Sequence, residues 1–227
     1  LLDTLKERGW RNTYPLMVGV WEEAVLSSPS VNLWIPNARH GPPVIEAVFS
    51  QTLKGVEGRF VGAEPSDLPA PLRERLAHEA MQLGYLFQGL GYFGRCGFDA
   101  VLVGQSFENP KIHWIECNGR WGGVSTPVTL ANRLTGEWSG EGLIVVQQSE
   151  IRLQPRPFES TLAQLDDLLL KRPQKPDGIV LLTPGRLVSG SGMNFMAIGK
   201  SAQEAQKTAT DAVMRLLAPE SHRSEAS

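Results

Sequence analysis

The chain has 227 residues, 41% of them hydrophobic and 20% charged, enough to bury a substantial core. A net charge of −2 gives no electrostatic reason for a nucleic-acid or anionic-membrane partner, and two cysteines make no disulfide framework. The longest apolar runs, Gly142 to Val146 and Ile179 to Leu182, fall far short of a membrane span, and no signal-peptide pattern is visible; the expectation is a cytoplasmic protein.

Tyr14 to Val25 and Ser30 to Ile35 read as strands separated by a break at Ser27-Ser28-Pro29. Val44 to Thr52, rich in β-branched and aromatic residues, reads as a third. Turns follow at Pro36-Asn37, at Gly41-Pro42-Pro43 and between Gly55 and Gly58. A Pro-rich approach, Glu64 to Pro71, leads into a helix over Leu72 to Gln88, with Leu72, Leu76, Ala80, Leu83 and Phe87 on one face. The motif Gly89-x-Gly91-x-x-Gly94 then follows a helix and precedes a strand. That is the reverse of a dinucleotide-binding loop, so it reads as a helix stop.

Two strands come next, Gly94 to Val103 and Lys111 to Asn118, joined by a polar turn at Gly104 to Pro110. Pairing centred on that turn sets Asp99 opposite Glu116, with Val103 facing Ile112 and Val101 facing Trp114. Directly paired residues have Cβ atoms about 4.5–5.5 Å apart. Alternation puts Glu116 and Asn118 on one face and His113 on the other. Two carboxylates that close repel unless a cation lies between them, and Mg²⁺ is bound by such groups together with phosphates. Two acids solvated on the open face of an antiparallel sheet is the other reading. Arg120, Trp121, Gly122 and Gly123 then enter a small-residue loop of the kind that carries active sites. Cys96 and Cys117 flank the site and read as small core-facing residues. His40 and His78 read as surface residues. Most of the six tryptophans read as core or half-buried, with Trp121 the one to line a substrate pocket.

Beyond the Gln154 to Pro157 stretch, Thr161-x-x-Gln164 resembles a capping box opening a helix to Lys171. Ile179 to Thr183 and Asn194 to Ile198 read as strands, with a turn at Pro184-Gly185 and a Ser189 to Gly192 loop between them. Ser201-x-x-Glu204 caps a helix ending near Leu217, and Pro219 to Ser227 reads as a disordered tail. The predicted fold class is α+β, an antiparallel sheet with flanking helices. The predicted organisation is residues 1–150, a small α+β unit over 151–218 and the tail over 219–227.

Gly-Phe-Asp-Ala-Val-Leu-Val, a short loop, then Trp-Ile-Glu-Cys-Asn-Gly-Arg-Trp-Gly-Gly resembles the metal-binding hairpin of the ATP-grasp ligases. The resemblance implies that Asp99, Glu116 and Asn118 hold Mg²⁺ bridging the phosphates of ATP. It implies that Arg120 stabilises the transferring phosphate or acyl phosphate. Some members carry an Arg two residues before the first acid; that position is Gly97 here, and Arg95 lies four before. Thr13 to Glu23 would lie near the hinge that holds adenine, with Val18 to Val20 edging the base and Glu22 or Glu23 accepting from the ribose hydroxyls. Those two glutamates also fit an edge strand ending in surface acids.

Upstream of residue 90 the chain has only Lys6 and Lys54, so the resemblance is to the C-terminal half of such an enzyme, with the N-terminal half missing. The region after residue 150 resembles the C-terminal extension of peptide-forming ligases. The implied activity is amide formation between a small-molecule carboxylate and an amine through an acyl phosphate. Two alternatives stand beside it: a glycosidase acid pair at Asp99 and Glu116, and a non-catalytic or split nucleotide-binding module that needs a partner subunit.

Overall fold

The computed structural model describes residues 2–11, 19–56, 58–136, 142–149 and 152–218. After α1 (Leu2–Glu7) come β1 (Val25–Ser27), β2 (Pro29–Ile35), a 3-10 turn (Ala38–His40), β3 (Val44–Lys54) and β4 (Arg59–Pro65). Next are α2 (Ala70–Gly89), β5 (Gly94–Val103), β6 (Lys111–Asn118), α3 (Ser125–Thr135) and β7 (Gly142–Gln148). The chain continues through α4 (Phe158–Leu165), β8 (Gly178–Leu181), α5 (Pro184–Val188), β9 (Met193–Gly199) and α6 (Ala202–Leu217).

These strands form one sheet of antiparallel ladders in the order β6-β5-β2-β3-β4-β7-β9-β8. β1 continues the line of β2 along the same edge of β5. The class is the expected one, an antiparallel sheet with flanking helices. The period of two divides each strand between two faces. On β5, Cys96, Phe98, Ala100 and Leu102 are buried with Val31, Leu33 and Ile35 of β2 under Leu72, Leu76 and Ala80 of α2. Arg95, Gly97, Asp99 and Val101 alternate with them and belong to the opposite face, where Gly97, Asp99 and Val101 line a cleft.

β7 divides in the same way. Leu143 joins Phe49, Ala63, Met196 and Ile198 beneath Val128 and Ala131 of α3, on the face of the cleft. Ile144 and Val146 turn to the other side, where Leu165 of α4 and Ala205, Ala209, Ala212 and Leu216 of α6 cover them. The small residues of α6 allow close approach. A Cβ on Gly142 would lie 2.1 Å from the Ser201 carbonyl oxygen, so glycine is required where β7 meets the start of that helix. Because β7 pairs with β9 over seven residues, the sheet runs without a break from before residue 150 to beyond it.

Several expected elements change. Of the strand read over Tyr14 to Val25, residues 12–18 lie outside those described; residues 19–24 are not in a strand, and pairing begins at Val25. Residues 219–227 and Trp138 also lie outside. β4 lies between the Gly55 to Gly58 turn and the Pro-rich approach, taking in the first two residues of that approach, and β4, α3 and β7 were not expected as elements. Thr161 is inside α4 rather than at its start. The helix opens after Pro157 at φ −57°, and Thr161 Oγ1 donates back to the Pro157 carbonyl over 3.4 Å. The Pro184-Gly185 turn opens the short helix α5. At the second expected box the Ser201 cap forms, Glu204 N donating to Ser201 Oγ over 3.2 Å, while the Glu204 carboxylate accepts from Lys200 N, one residue before the cap, over 3.1 Å.

Candidate active site

The open face of the sheet forms one wall of a cleft of about 1110 Å³, lined by Asp99, Glu116, Asn118 and Arg120. Asp99 pairs with Glu116 across β5 and β6, as the spacing predicts. The other expected pairs are displaced by one residue. Val103 pairs with Lys111, Val101 with His113 and Ala100 with Trp114, and a bulge at Ile115 restores the Asp99 pairing.

The bulge has a physical cause in the side chains around it. Trp114 belongs to the α2 side, where its Nε1 donates to Glu79 Oε2 over 3.0 Å and its ring meets Phe98 edge-on at 6.3 Å. Strict alternation would carry Glu116 to that same side. The extra residue turns Glu116 and Asn118 back to the cleft. It also brings His113 onto the wall that carries Glu116, opposite to the expected placement.

Asn118 Nδ2 donates to Asp99 Oδ2 over 3.0 Å, which leaves the Asn118 amide oxygen as the remaining acceptor. Burial raises the Asp99 carboxyl above its ordinary range, and the facing Glu116 raises it further, while hydrogen bonds with Ser30 and Gln51 act against the shift. Ser30 and Asn32 are buried, and with Gln51 and Gln147 they extend the polar wall. None of these four was singled out from the sequence. Their signal was polar side chains at alternate positions of otherwise apolar strands.

Among the described residues no group of three or more His, Cys, Asp and Glu assembles as a metal cluster. The donor set is instead two facing carboxylates and an amide oxygen, all hard oxygen donors. Magnesium is bound in just such surroundings, by one or two carboxylates with phosphate and water completing its shell. Asp99 supports the fit, because among the described residues this half-buried carboxylate faces a second one and no cation offsets the rise in its pKa. Arg120 lies at the exposed rim, its Nη1 donating to the Trp121 carbonyl over 3.4 Å. Among the described lining residues Arg120 and His113 are the only basic side chains.

The lining also has an apolar share, with Val20, Trp21, Val25, Leu53, Val56 and Ile115. Glu22 belongs to the same lining and lies 3.8 Å from His113 Nε2, whereas Glu23 is exposed and outside it. The structure thus brings Asp99, Glu116, Asn118, Arg120 and Glu22 to one cleft and leaves Glu23 beside it. Trp21, read with the half-buried tryptophans, is 72% exposed and lines the cleft. Cys96 is buried as expected, but Cys117 is exposed because β6 is the outer strand of the sheet. His40 and His78 are surface residues.

No family model matches the chain, and no curated protein matches it in sequence. Solved structures do. N5-carboxyaminoimidazole ribonucleotide synthetase from Thermus thermophilus superposes with a TM-score of 0.55 at 16% identity, over 86% of this chain and 52% of that one. An ADP complex of purK, another N5-carboxyaminoimidazole ribonucleotide synthetase, gives a TM-score of 0.57 at 13% identity, over 85% and 50%. A biotin carboxylase complex from Campylobacter jejuni gives 0.55 at 12%, over 87% and 47%. The chain spans about half the length of the structures it matches. These are ATP-grasp enzymes, and the fold of this chain is the ATP-grasp fold over that part of their length.

Proposed function

We propose that the chain forms the metal-binding wall of an ATP- and Mg²⁺-dependent ligase that joins a carboxylate to an amine, of the peptide-forming type. The observation that carries this reading is the convergence of Asp99, Glu116 and Asn118 on one cleft with Arg120 at its rim. Nucleotide enzymes of the same fold, one solved with ADP and another with an ATP analogue, support it. A glycosidase would use the two acids but gives no role to an arginine fork beside them.

In this reading Asp99, Glu116 and the Asn118 oxygen hold Mg²⁺, which when bound neutralises the β- and γ-phosphates. The apolar lining that includes Val20 and Trp21 takes the adenine, and Glu22 accepts from the ribose. A substrate carboxylate oxygen attacks the γ-phosphorus, and ADP leaves. The amine then adds to the acyl phosphate carbonyl and inorganic phosphate departs, forming the amide. Arg120 presents two parallel N–H donors to the transferring phosphoryl oxygens. No lysine lines the described cleft wall, so further phosphate-binding cations belong to a surface that closes over it, in the same protein or in a partner subunit. That lysine-free wall also favours a second reading, a nucleotide-binding module that catalyses nothing without the partner.

Titration of the chain with Mg²⁺ and ADP, followed calorimetrically, tests the proposal. Binding that requires Mg²⁺ and disappears in Asp99→Asn with Glu116→Gln supports it. Metal-independent binding, or binding unaffected by the two substitutions, removes the site from nucleotide chemistry.

A further inference from the structure

The loop that carries Arg120 has no regular structure between β6 and α3, yet it is held from below by residues the ligase reading leaves unused. Arg95, on the cleft side of β5, stands with its guanidinium carbon 4.7 Å from the centre of the Trp121 ring and 6.0 Å from that of Trp34. Its Nη1 pairs with Glu46 Oε2, and the two side chains are only 15% and 21% exposed. A cation over an aromatic face is attracted by the ring quadrupole, and more strongly once partly desolvated. Trp121 is 55% exposed, so Arg95 is a principal anchor for that ring.

A second anchor stands one residue before Arg120. The Tyr92 hydroxyl donates to the Arg95 carbonyl, and its ring lies so close to Gly119 that a Cβ there would come within 3.3 Å of Tyr92 Cε2. Beyond Trp121, Gly122 N donates to Ser125 Oγ over 3.1 Å at the start of α3. Arg120 therefore sits between Gly119, packed against Tyr92 just before β5, and Trp121, held by Arg95 of β5, with Gly122 tied to the start of α3.

We propose that Arg95 is a positioning residue: paired with Glu46 and stacked on Trp121, it holds the 119–123 loop so that Arg120 projects over the carboxylates. The functional half of this inference rests on the role given to Arg120 above; the structural half does not. Arg95 touches no reacting group and acts through Trp121. A lysine can keep the ion pair and a weaker ring contact, whereas a methionine keeps only the stem.

Amide hydrogen exchange of the unliganded chain tests the positioning directly. In Arg95→Met, exchange over residues 119–123 should rise about tenfold while that of α2 and β5 stays unchanged, and Arg95→Lys should restore part of the protection. Unchanged exchange in the loop, or a rise spread over the whole β5–β6 hairpin, overturns the inference whatever the chain binds. The link to Arg120 is read by a double-mutant cycle on affinity for Mg²⁺ with β,γ-imido-ATP. Arg95→Met should weaken binding severalfold in the unaltered chain and not at all in the Arg120→Met background. Independent, additive effects overturn it. An Arg120→Met chain that binds the analogue unchanged overturns the role of Arg120 itself, and a loop still loosened by Arg95→Met shows that only the functional half has failed.

Discussion

Asp99 faces Glu116 across the β5–β6 ladder even though the pairs nearer the turn are shifted by one residue. The bulge at Ile115 lets a single edge strand satisfy two demands. It leaves the Trp114 indole on the hydrophobic side, bonded to Glu79, and two residues later presents a carboxylate to the cleft. The site is therefore bound to the packing of α2, the helix that supplies Glu79.

Asp99→Asn should reduce the affinity for Mg²⁺ with ADP by at least about tenfold, since even loss of a residue orienting a metal ligand costs about 10–100-fold. It should also raise the stability of the unliganded chain at neutral pH. The Asp99 carboxyl is raised in the fold, chiefly by burial, so the folded state holds its proton more tightly than the unfolded one. Stability therefore falls as pH rises from the ordinary Asp range through the raised value. The asparagine chain should lose that part of the slope, which thermal melts between pH 4 and 8 would show as a higher, flatter profile. A variant melting below the parent at pH 7 would mean that Asp99 is a structural residue.

Glu22 and Glu23 are neighbours in sequence and differ in place. Glu22 lines the cleft beside His113, and Glu23 stands in solvent outside it. Glu22→Gln should weaken nucleotide binding by about tenfold or more, in keeping with the loss of one hydrogen bond to a charged acceptor, worth about 1.5–3 kcal/mol. Glu23→Gln should change it by less than a factor of two, on the order of the usual effect of a surface substitution. Isothermal titration of both variants decides; equal losses would show that both reach the nucleotide.

The hairpin was legible because its chemistry sits in a short stretch of alternating residues, and antiparallel pairing about a turn requires only counting. The bulge was not, because Ile115 carries no local mark of it. The register there is set by Trp114 docking on a helix more than thirty positions earlier in the chain. β4 was hidden because its residues, Arg59 to Pro65, begin beside turn glycines and end on proline. One partner, β3, directly precedes it, but the other, β7, comes from far along the sequence. The Ser201 cap was readable because the hydroxyl and the Glu204 N–H that it accepts from lie three residues apart. Thr161 misled because Pro157, four residues earlier, already supplies a fixed φ for the helix start. Ser30 and Gln51 acquire meaning only when the sheet sets them beside Asp99.

Cys96 and Cys117 lie with their sulfurs 3.7 Å apart, both as free thiols, one buried and one exposed. Burial and the neighbouring Cys117 push the Cys96 thiol up to about 12, so it holds almost no thiolate at neutral pH. Iodoacetamide should therefore label one cysteine of the native chain, Cys117, and both after unfolding. Peptide mass spectrometry of the two samples gives the answer. Rapid native labelling of Cys96 would mean that the β5–β6 hairpin opens readily, and with it the carboxylate pair.

Arg156 is 6% exposed, and its donors go to neutral acceptors. Its Nη1 donates to Gln164 Oε1 over 2.5 Å and its Nη2 to the Leu216 carbonyl over 3.3 Å. Gln164 Nε2 in turn donates to the Arg215 carbonyl over 2.5 Å. Two of the last carbonyls of α6 thus accept from a cation and an amide where the helix dipole is negative; the Arg215 carbonyl also accepts from Ala218 N over 3.1 Å. The arrangement ties the segment before α4 to the end of α6 and closes the core beneath β8 and β9. Arg156→Met keeps the apolar stem and removes the donors, leaving the buried Leu216 carbonyl and the half-buried Gln164 oxygen without them. The expected cost is about 2–6 kcal/mol, the sum of two losses of about 1–3 kcal/mol each. Urea unfolding should show a lower midpoint at an unchanged slope, while Mg²⁺–ADP binding stays as in the parent under conditions where the fold holds. A loss below about 0.5 kcal/mol, the range of an ordinary surface change, would show that water replaces the guanidinium at no cost and that the clamp contributes little.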